Sequence, residues 1–102
     1  MRKLYSLVLI MMATMTFASA QKSKSVLIFS KTTGFRHESI PKGVETVSKL
    51  LADNNINYLH TEDAVHFHAD SLKKYDAVIF LNTTGDVLDE TQKQNFQRFI
   101  QS

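Results

Sequence analysis

The chain has 102 residues, with 12 Lys and Arg, 10 Asp and Glu, and no Cys. The absence of Cys excludes disulfide bonds and every mechanism that would use a thiol of this chain as nucleophile. The net charge of +2 is accounted for by Arg2 and Lys3 at the N-terminus, so charge gives no argument for a nucleic-acid partner.

The first twenty residues have the pattern of a secretory signal peptide. Arg2 and Lys3 form a positive start, residues 4–17 are almost wholly apolar, and residues 18–20 (Ala-Ser-Ala) are a small-residue cleavage signal. A membrane anchor is the weaker interpretation, because a spanning helix needs roughly 20 apolar residues. We predict cleavage after Ala20, a secreted or periplasmic protein, and no membrane contact after cleavage.

Three segments of the remaining chain, residues 21–102, have strand character. Residues 25–30 and 77–81 are continuously apolar, which is typical of parallel strands that are covered on both faces. Residues 56–61 are less apolar, and an edge position in the sheet explains that difference. Residues 62–69 and 83–88 are predicted loops.

Helical patterns follow each of these strands. Residues 39–54 carry one apolar stripe and tolerate Pro41 in the first turn, where a missing N–H has no intrahelical partner. Residues 70–75 predict a short helical turn. Asp89 and Gln92 have the spacing of a capping box. The last helix then carries three apolar side chains on one face, those of Phe96, Phe99 and Ile100.

Alternating strands and helices predict an α/β fold with a parallel sheet and right-handed connections. We expect a parallel sheet with strand order 2-1-3. In that order the loops after the first and third strands lie side by side at the carboxyl edge, where ligands bind in open α/β sheets. Residues 34–37 (Gly-Phe-Arg-His) and residues 83–86 (Thr-Thr-Gly-Asp) would then share one crevice.

The third strand would have an unpaired apolar edge, which invites aggregation unless further sheet covers it. We therefore expect a truncated reading frame or fragment that lacks the second half of a doubly wound sheet. The alternative is an oligomer or partner chain that supplies the missing strands.

Three ordered segments resemble the ThuA-like (trehalose-utilisation) domain family. They are residues 26–41 (VLIFSKTTGFRHESIP), 61–64 (TEDA) and 75–88 (YDAVIFLNTTGDVL). The resemblance implies a fold similar to class I glutamine amidotransferases, with a three-layer, flavodoxin-like sheet, of which residues 21–102 would be the N-terminal half. It also implies carbohydrate-related chemistry on a sugar or sugar derivative. A further glycine-rich motif of the family, which carries another His, would lie after Ser102.

The candidate site residues come from the two glycine-containing loops. Arg36 offers a planar fork for carboxylates, phosphates or sugar hydroxyls, and His37 offers an imidazole that titrates near neutrality. The alternatives are an Arg bonded to its loop backbone and a His that orders the helix entry. In the other loop Thr83, Thr84 and Gly85 are predicted to bind substrate, and Asp86 is predicted to act with His37 in catalysis, although this composition is also ordinary in turns.

Other polar and aromatic residues near the predicted strand ends have competing interpretations. Glu62 and Asp63 suit a helix cap better than a hydroxyl-binding role. His66 and His68 would face one way on extended backbone, but two ligands do not make a metal site, and we expect no metal and no cofactor. Phe35 and Phe67 are expected to anchor their loops on the core, with sugar stacking as the lesser option.

Three functions remain open at this stage. The chain is an exported carbohydrate-active domain, a non-catalytic carbohydrate-binding or accessory module, or an inactive half domain. The expected ligand in the first two cases is a sugar-like small molecule, and the residues do not decide whether the protein is an enzyme.

Overall fold

The computed structural model describes residues 23–102, so the predicted signal peptide lies outside the described residues. Three parallel strands, β1 (Ser25–Phe29), β2 (Asn57–Thr61) and β3 (Ala77–Phe80), form one sheet in the order β2-β1-β3. This is the order that the sequence predicted, and it confirms the α/β, flavodoxin-like class. The central strand β1 is the most buried of the three, because it alone has a strand on each side.

Helices connect and cover the strands. Helix α1 spans Ile40–Asp53, α2 spans Ala69–Leu72 and α3 spans Glu90–Gln101. A 3₁₀ helix, Ala64–His66, lies inside the segment that the sequence predicted as a loop. The strand predictions ran one residue too far at the carboxyl ends of β1 and β3, which is the usual uncertainty of element boundaries.

The start of α3 and the end of α1 have the terminating residues that the sequence predicted. Asp89 Oδ1 accepts from the Gln92 backbone N–H over 2.8 Å, and Gln92 Oε1 accepts from the Asp89 N–H over 2.8 Å, so the capping box of α3 is confirmed. After α1, Asn55 adopts a left-handed φ of 58°, which Asn tolerates better than most residues.

One face of the sheet carries the main core. Alternate β1 side chains, Leu27 and Phe29, pack with Phe67, whose ring meets that of Phe29 edge-to-face at 4.7 Å between centroids. Phe67 therefore anchors its loop on the core, as predicted. Further members of this core are Ala64, Leu72 and Leu88, with Tyr75, Val78, Val87, Phe96 and Phe99 packed against them.

Helix α3 contributes only part of its predicted apolar face to this core. Phe96 stacks beside Phe99 at 6.1 Å between ring centroids, and both rings pack on the core. Ile100 was assigned to the same face, but its side chain is exposed and does not join Phe96 and Phe99 on the core.

The opposite face of the sheet is covered by α1. Ile40 at the start of this helix is buried, and Gly43 lies against Leu81, where an added Cβ would be 3.2 Å from the Leu81 Cδ2 atom. Leu81 follows Phe80 and so points away from the main core. The molecule therefore has three layers, with α1 on one side of the sheet and α2 and α3 on the other.

Both outer strands have a free edge within residues 23–102, since β2 and β3 each pair with β1 and with no other strand. Phe80 at the end of β3 is partly exposed. Among the helices of this part of the chain, none has the length and apolar character that crossing a membrane requires.

Candidate functional site

The loops that leave β1 and β3 are joined by hydrogen bonds at the carboxyl edge of the sheet. The Thr33 N–H donates to the Thr84 carbonyl over 2.8 Å, and Thr32 forms a parallel bridge with Thr84. The Thr84 hydroxyl in turn donates to the Phe35 carbonyl. The predicted convergence of the two loops is confirmed, and we call residues 31–37 together with residues 82–88 the two-loop rim.

Glycines allow the loops to approach this closely. Gly85 has a φ of +77°, and a Cβ at this position would lie 2.2 Å from the Thr33 carbonyl oxygen. Gly34 has a φ of +107° and faces open space. Both conformations are in the region that residues with side chains rarely adopt, so each loop depends on its Gly for its backbone path.

Arg36 makes a two-pronged ion pair with Glu62, which follows β2. Its Nη1 donates to Oε1, and its Nη2 donates to Oε2 over 3.3 Å. Both side chains are about half exposed. The alternative interpretation, in which Arg36 bonds the backbone of its own loop, is wrong. The guanidinium fork matches the geometry of a carboxylate, and the Glu62 carboxylate lies within reach. Arg36 therefore connects the two-loop rim to the end of β2.

Glu62 and Asp63 are adjacent in the chain but act differently. Asp63 Oδ1 accepts from the Val65 N–H over 3.0 Å and caps the 3₁₀ helix, as the cap interpretation predicted. Glu62 makes no cap, because its carboxylate is paired with Arg36.

His37 and Phe35 form an exposed pair on the loop after β1. Their rings meet edge-to-face at 5.0 Å between centroids. The Phe35 side chain is 70% exposed, so the expectation that it anchors its loop on the core is wrong. The core position is already filled by Phe67 and Phe29, and the left-handed turn at Gly34 directs the chain away from it.

Asp86, the carboxylate of the loop after β3, is paired with α3. Its Oδ1 lies 3.1 Å from Lys93 Nζ, which is also 3.3 Å from Glu90 Oε1. Hydrogen bonds that Lys93 donates to Asp86 and then to Glu90, reinforced by the charges of these carboxylates, raise the pKa of Lys93 above its ordinary value of 10.5. In the described part of the chain Asp86 has no hydrogen bond or ion pair with Arg36 or His37. The three side chains therefore lie at the same edge of the sheet without contacting one another through polar groups.

An open groove of about 530 Å³ lies beside Asp86. Lys31, which directly follows Ser30 at the end of β1, supplies its cation, although the sequence analysis did not single Lys31 out. Its position at a strand exit was the available signal. The groove is lined by Lys31, Asp63, Ala64, Val65, Asp86, Val87, Leu88, Asp89 and Gln92.

Asn82 connects the exit of β3 to the start of α1. It has a left-handed φ of 50°, and its Nδ2 donates to Ser39 Oγ over 2.9 Å. Ser39 precedes α1 but makes no side-chain cap bond to it. The sequence analysis missed this contact, which joins residues 43 positions apart.

A second contact missed from the sequence lies just below the rim. The Oγ of Ser30, which is fully buried at the end of β1, lies 2.6 Å from His60 Nε2 on β2. Because Ser30 has no access to solvent, this pair satisfies two polar groups inside the fold and does not present a nucleophile to a ligand.

The segment of His66 and His68 is not extended throughout, and extended backbone is the condition under which these two side chains would face one way. His66 ends the 3₁₀ helix, and His68 Nδ1 caps α2 by accepting from the Asp70 N–H at 3.4 Å. Residues 23–102 contain no cluster of three or more His, Asp or Glu side chains placed to hold a metal ion.

Comparison with known proteins gives one match. The model of the ThuA family, described as trehalose utilisation, matches residues 25–102, which include every strand and helix described above. No curated protein and no solved structure matches the chain. The family match covers most of the chain, so this protein belongs to the ThuA family, and its function at the family level is carbohydrate metabolism.

Proposed function

We propose that this protein is exported and binds a neutral sugar or sugar derivative at the two-loop rim. The observation that carries the proposal is the hydrogen bond between Thr33 and Thr84. It fixes both candidate loops to one another at the edge of the sheet where ligands of open α/β folds bind. The family description, trehalose utilisation, supports a carbohydrate as the ligand class.

The polar groups of the rim suit hydroxyl ligands. Arg36 and Glu62 are held in a fork that presents donors and acceptors at fixed positions, and both side chains are accessible. Thr83 and Thr84 add hydroxyls, and Gly85 lets the loop after β3 lie directly against Thr33 of the other loop. A sugar, with alternating donor and acceptor hydroxyls, matches this mixture.

The charges at the rim favour a neutral ligand over an anionic one. Arg36 is paired with Glu62, and Lys93 is paired with Asp86 and Glu90. Lys31 lies in a groove that also contains acidic side chains. An anionic sugar that binds Arg36 or Lys93 would have to displace a carboxylate partner, whereas an uncharged sugar would not.

A catalytic function is the second candidate, and it would use His37 and Asp86. Both side chains are accessible at the rim, and imidazole and carboxylate are the common groups of general acid–base catalysis. In this version of the proposal the two residues transfer protons to and from a bound sugar. A His37→Gln or Asp86→Asn variant would then lose turnover and keep sugar affinity.

Ligand binding is tested by a thermal shift panel of neutral mono- and disaccharides, including trehalose, followed by calorimetry on any positive sugar. We expect Arg36→Gln to reduce affinity about tenfold, because hydrogen bonds to charged groups contribute on the order of 1.5–3 kcal/mol. Arg98→Gln is the matched control, since Arg98 is an exposed Arg in the last turn of α3. Equal affinities of the two variants would contradict the proposed site.

Export is tested separately by fractionating cells that express the full chain and determining the N-terminus of the product by mass spectrometry. The proposal expects a product that starts at Gln21 outside the cytoplasm. An Ala20→Lys variant should block cleavage. A wild-type product that keeps Met1 and stays in the cytoplasm would rule out the export part of the proposal.

A further inference from the structure

We propose that Phe35 is the stacking residue of the two-loop rim and packs its ring against the apolar C–H face of a pyranose ring. This inference rests on the proposed sugar-binding function and names the part of the ligand that the rim selects. Neither the family description nor the rim's polar residues assign a role to Phe35.

The first observation is the exposure of Phe35. At 70% it is the most exposed of the large apolar side chains in residues 23–102. Burying a Phe side chain stabilises a fold, so leaving one in water forgoes that stabilisation. The exposed ring lies between Gly34 and Arg36, inside the loop that carries the candidate binding residues.

The second observation is that the backbone around Phe35 is held in place. The Thr84 hydroxyl donates to the Phe35 carbonyl, and the next residue, Arg36, is tied to Glu62 by two hydrogen bonds. The His37 ring contacts the Phe35 ring edge-to-face at 5.0 Å between centroids. An aromatic side chain has only two rotatable bonds, so a ring on such a loop loses little entropy when a ligand stacks on it.

The third observation is the chemistry of the neighbours. A pyranose has hydroxyls around its rim and C–H groups on its faces. The negative face of an aromatic ring attracts C–H groups, by the same electrostatics that favours edge-to-face aromatic pairs. Phe35 would take the C–H face while the adjacent Arg36, Glu62 and Thr84 take hydroxyls. The nearby charges are paired, so they do not oppose an uncharged ring.

This arrangement predicts that the rim prefers a pyranose ring to an open-chain sugar alcohol. A ring with equatorial hydroxyls, such as methyl glucopyranoside, leaves its C–H face free for stacking. Glucitol has the same six-carbon sugar skeleton and similar hydroxyls, but it lacks the methyl group and has no ring face. The rim should therefore bind the glucopyranoside more tightly than glucitol, and Phe35 should be responsible for the difference.

The experiment measures affinities of the protein for methyl glucopyranoside and glucitol by calorimetry or ligand-observed NMR. We expect Phe35→Ala to weaken glucopyranoside binding roughly 2- to 10-fold and to leave glucitol binding unchanged, while Phe35→Tyr keeps wild-type affinity. Ile100→Ala is the matched control, because Ile100 is a similarly exposed apolar residue in the last turn of α3, away from the rim.

A Phe35→Trp variant provides a direct readout at the site. The chain contains no Trp, so the introduced indole would be the single Trp fluorophore. We expect its emission to shift or be quenched as glucopyranoside is added, at the concentrations that calorimetry gives. The same titration with glucitol should leave the emission unchanged.

The outcomes separate this inference from the proposed function. If the wild type binds the glucopyranoside and Phe35→Ala binds it equally well, the stacking role is wrong and the sugar-binding proposal stands. If the wild type binds no sugar in the panel, both are wrong. If Phe35→Ala alters only the association state in sedimentation and not sugar affinity, the ring serves a protein contact and the stacking role is again wrong.

Discussion

Thr33 and Thr84 lie 51 positions apart in the chain, yet the Thr33 N–H donates to the Thr84 carbonyl over 2.8 Å. The bond continues the β1–β3 pairing beyond the last paired strand residues, Phe29 and Phe80. The candidate site is therefore built as an extension of the sheet, and its two loops do not need to be ordered separately when a ligand binds. Pre-formed loops of this kind reduce the entropy cost of binding.

The close approach of these loops predicts a large effect of Gly85→Ala. The new Cβ would lie 2.2 Å from both the Thr33 carbonyl oxygen and its Oγ1, and the φ of +77° would be strained for Ala. Left-handed strain costs roughly 1–2 kcal/mol and overpacking roughly 1–3 kcal/mol, so we expect a loss of about 3 kcal/mol in the free energy of unfolding. Urea denaturation followed by circular dichroism measures it.

Gly34→Ala is the matched control for this experiment. Gly34 also has a positive φ, of +107°, but no atom lies within 4 Å of an added Cβ. We expect only the conformational strain, about 1 kcal/mol. Equal losses in the two variants would mean that the loops are not in contact at Thr33.

Gln92 has two partners, and a Gln92→Glu variant separates them. Its Oε1 accepts from the Asp89 N–H within the capping box, while its Nε2 donates to the carbonyl of buried Ala64 over 3.1 Å. Glu keeps the acceptor and loses the donor, which leaves a carboxylate oxygen facing the carbonyl. We expect a loss of roughly 1–2 kcal/mol, measured as a lower denaturation midpoint.

The control for the added charge is Gln94→Glu, because Gln94 is exposed on the same helix. The denaturation midpoint of the Gln94→Glu protein should stay close to that of the wild type. A Gln92→Glu protein with wild-type stability would show that the bond to Ala64 does not hold α3 on the 3₁₀ helix.

The contact between buried Ser30 and partly buried His60 predicts a stability effect without an effect on sugar binding. Ser30→Ala would remove the partner of His60 Nε2, now 2.6 Å away, and leave that nitrogen unsatisfied in a partly buried position. The expected cost is roughly 1–2 kcal/mol. Ser23→Ala, at an exposed position, should change stability by less than about 0.5 kcal/mol. Loss of sugar affinity in a folded Ser30→Ala protein would contradict the purely structural role.

The fold was predictable because its signals are local. Continuous apolar strands, the stripe of α1 and the spacing of Asp89 and Gln92 each act within one element, and right-handed connections leave few sheet orders to choose from. The predictions of buried residues and loops were wrong where the local sequence pattern does not determine how the side chains pack or are capped. Ile100 continues an apolar face but lies beyond the core, and Ala64–His66 forms a 3₁₀ helix because Asp63 caps it inside a predicted loop.

The candidate site was predictable in position but not in its contacts. The strand order places the two loops together, and that much follows from the sequence. The partners of Arg36 and Asp86 come from other elements, Glu62 after β2 and Lys93 on α3. Such pairs depend on side-chain reach across the finished fold, which spacing along the chain does not encode. The exposure of Phe35 could not be predicted for the same reason, since it depends on which aromatic rings occupy the core of the finished fold.

The raised pKa of Lys93 predicts a specific response to removal of Asp86. Because hydrogen bonding to Asp86 is the largest cause, Asp86→Asn should bring the pKa of Lys93 back toward 10.5, and Glu90→Gln should do so to a lesser degree. NMR titration of the Lys93 side chain measures both.

A folded-state pKa above the unfolded value stabilises the protein below about pH 10.5. The contribution is therefore complete at neutral pH and is lost as the pH rises through the folded-state value. If Asp86→Asn leaves the pKa of Lys93 unchanged, the Asp86–Lys93 contact does not persist in solution, and Asp86 is free to meet a ligand without giving up a partner.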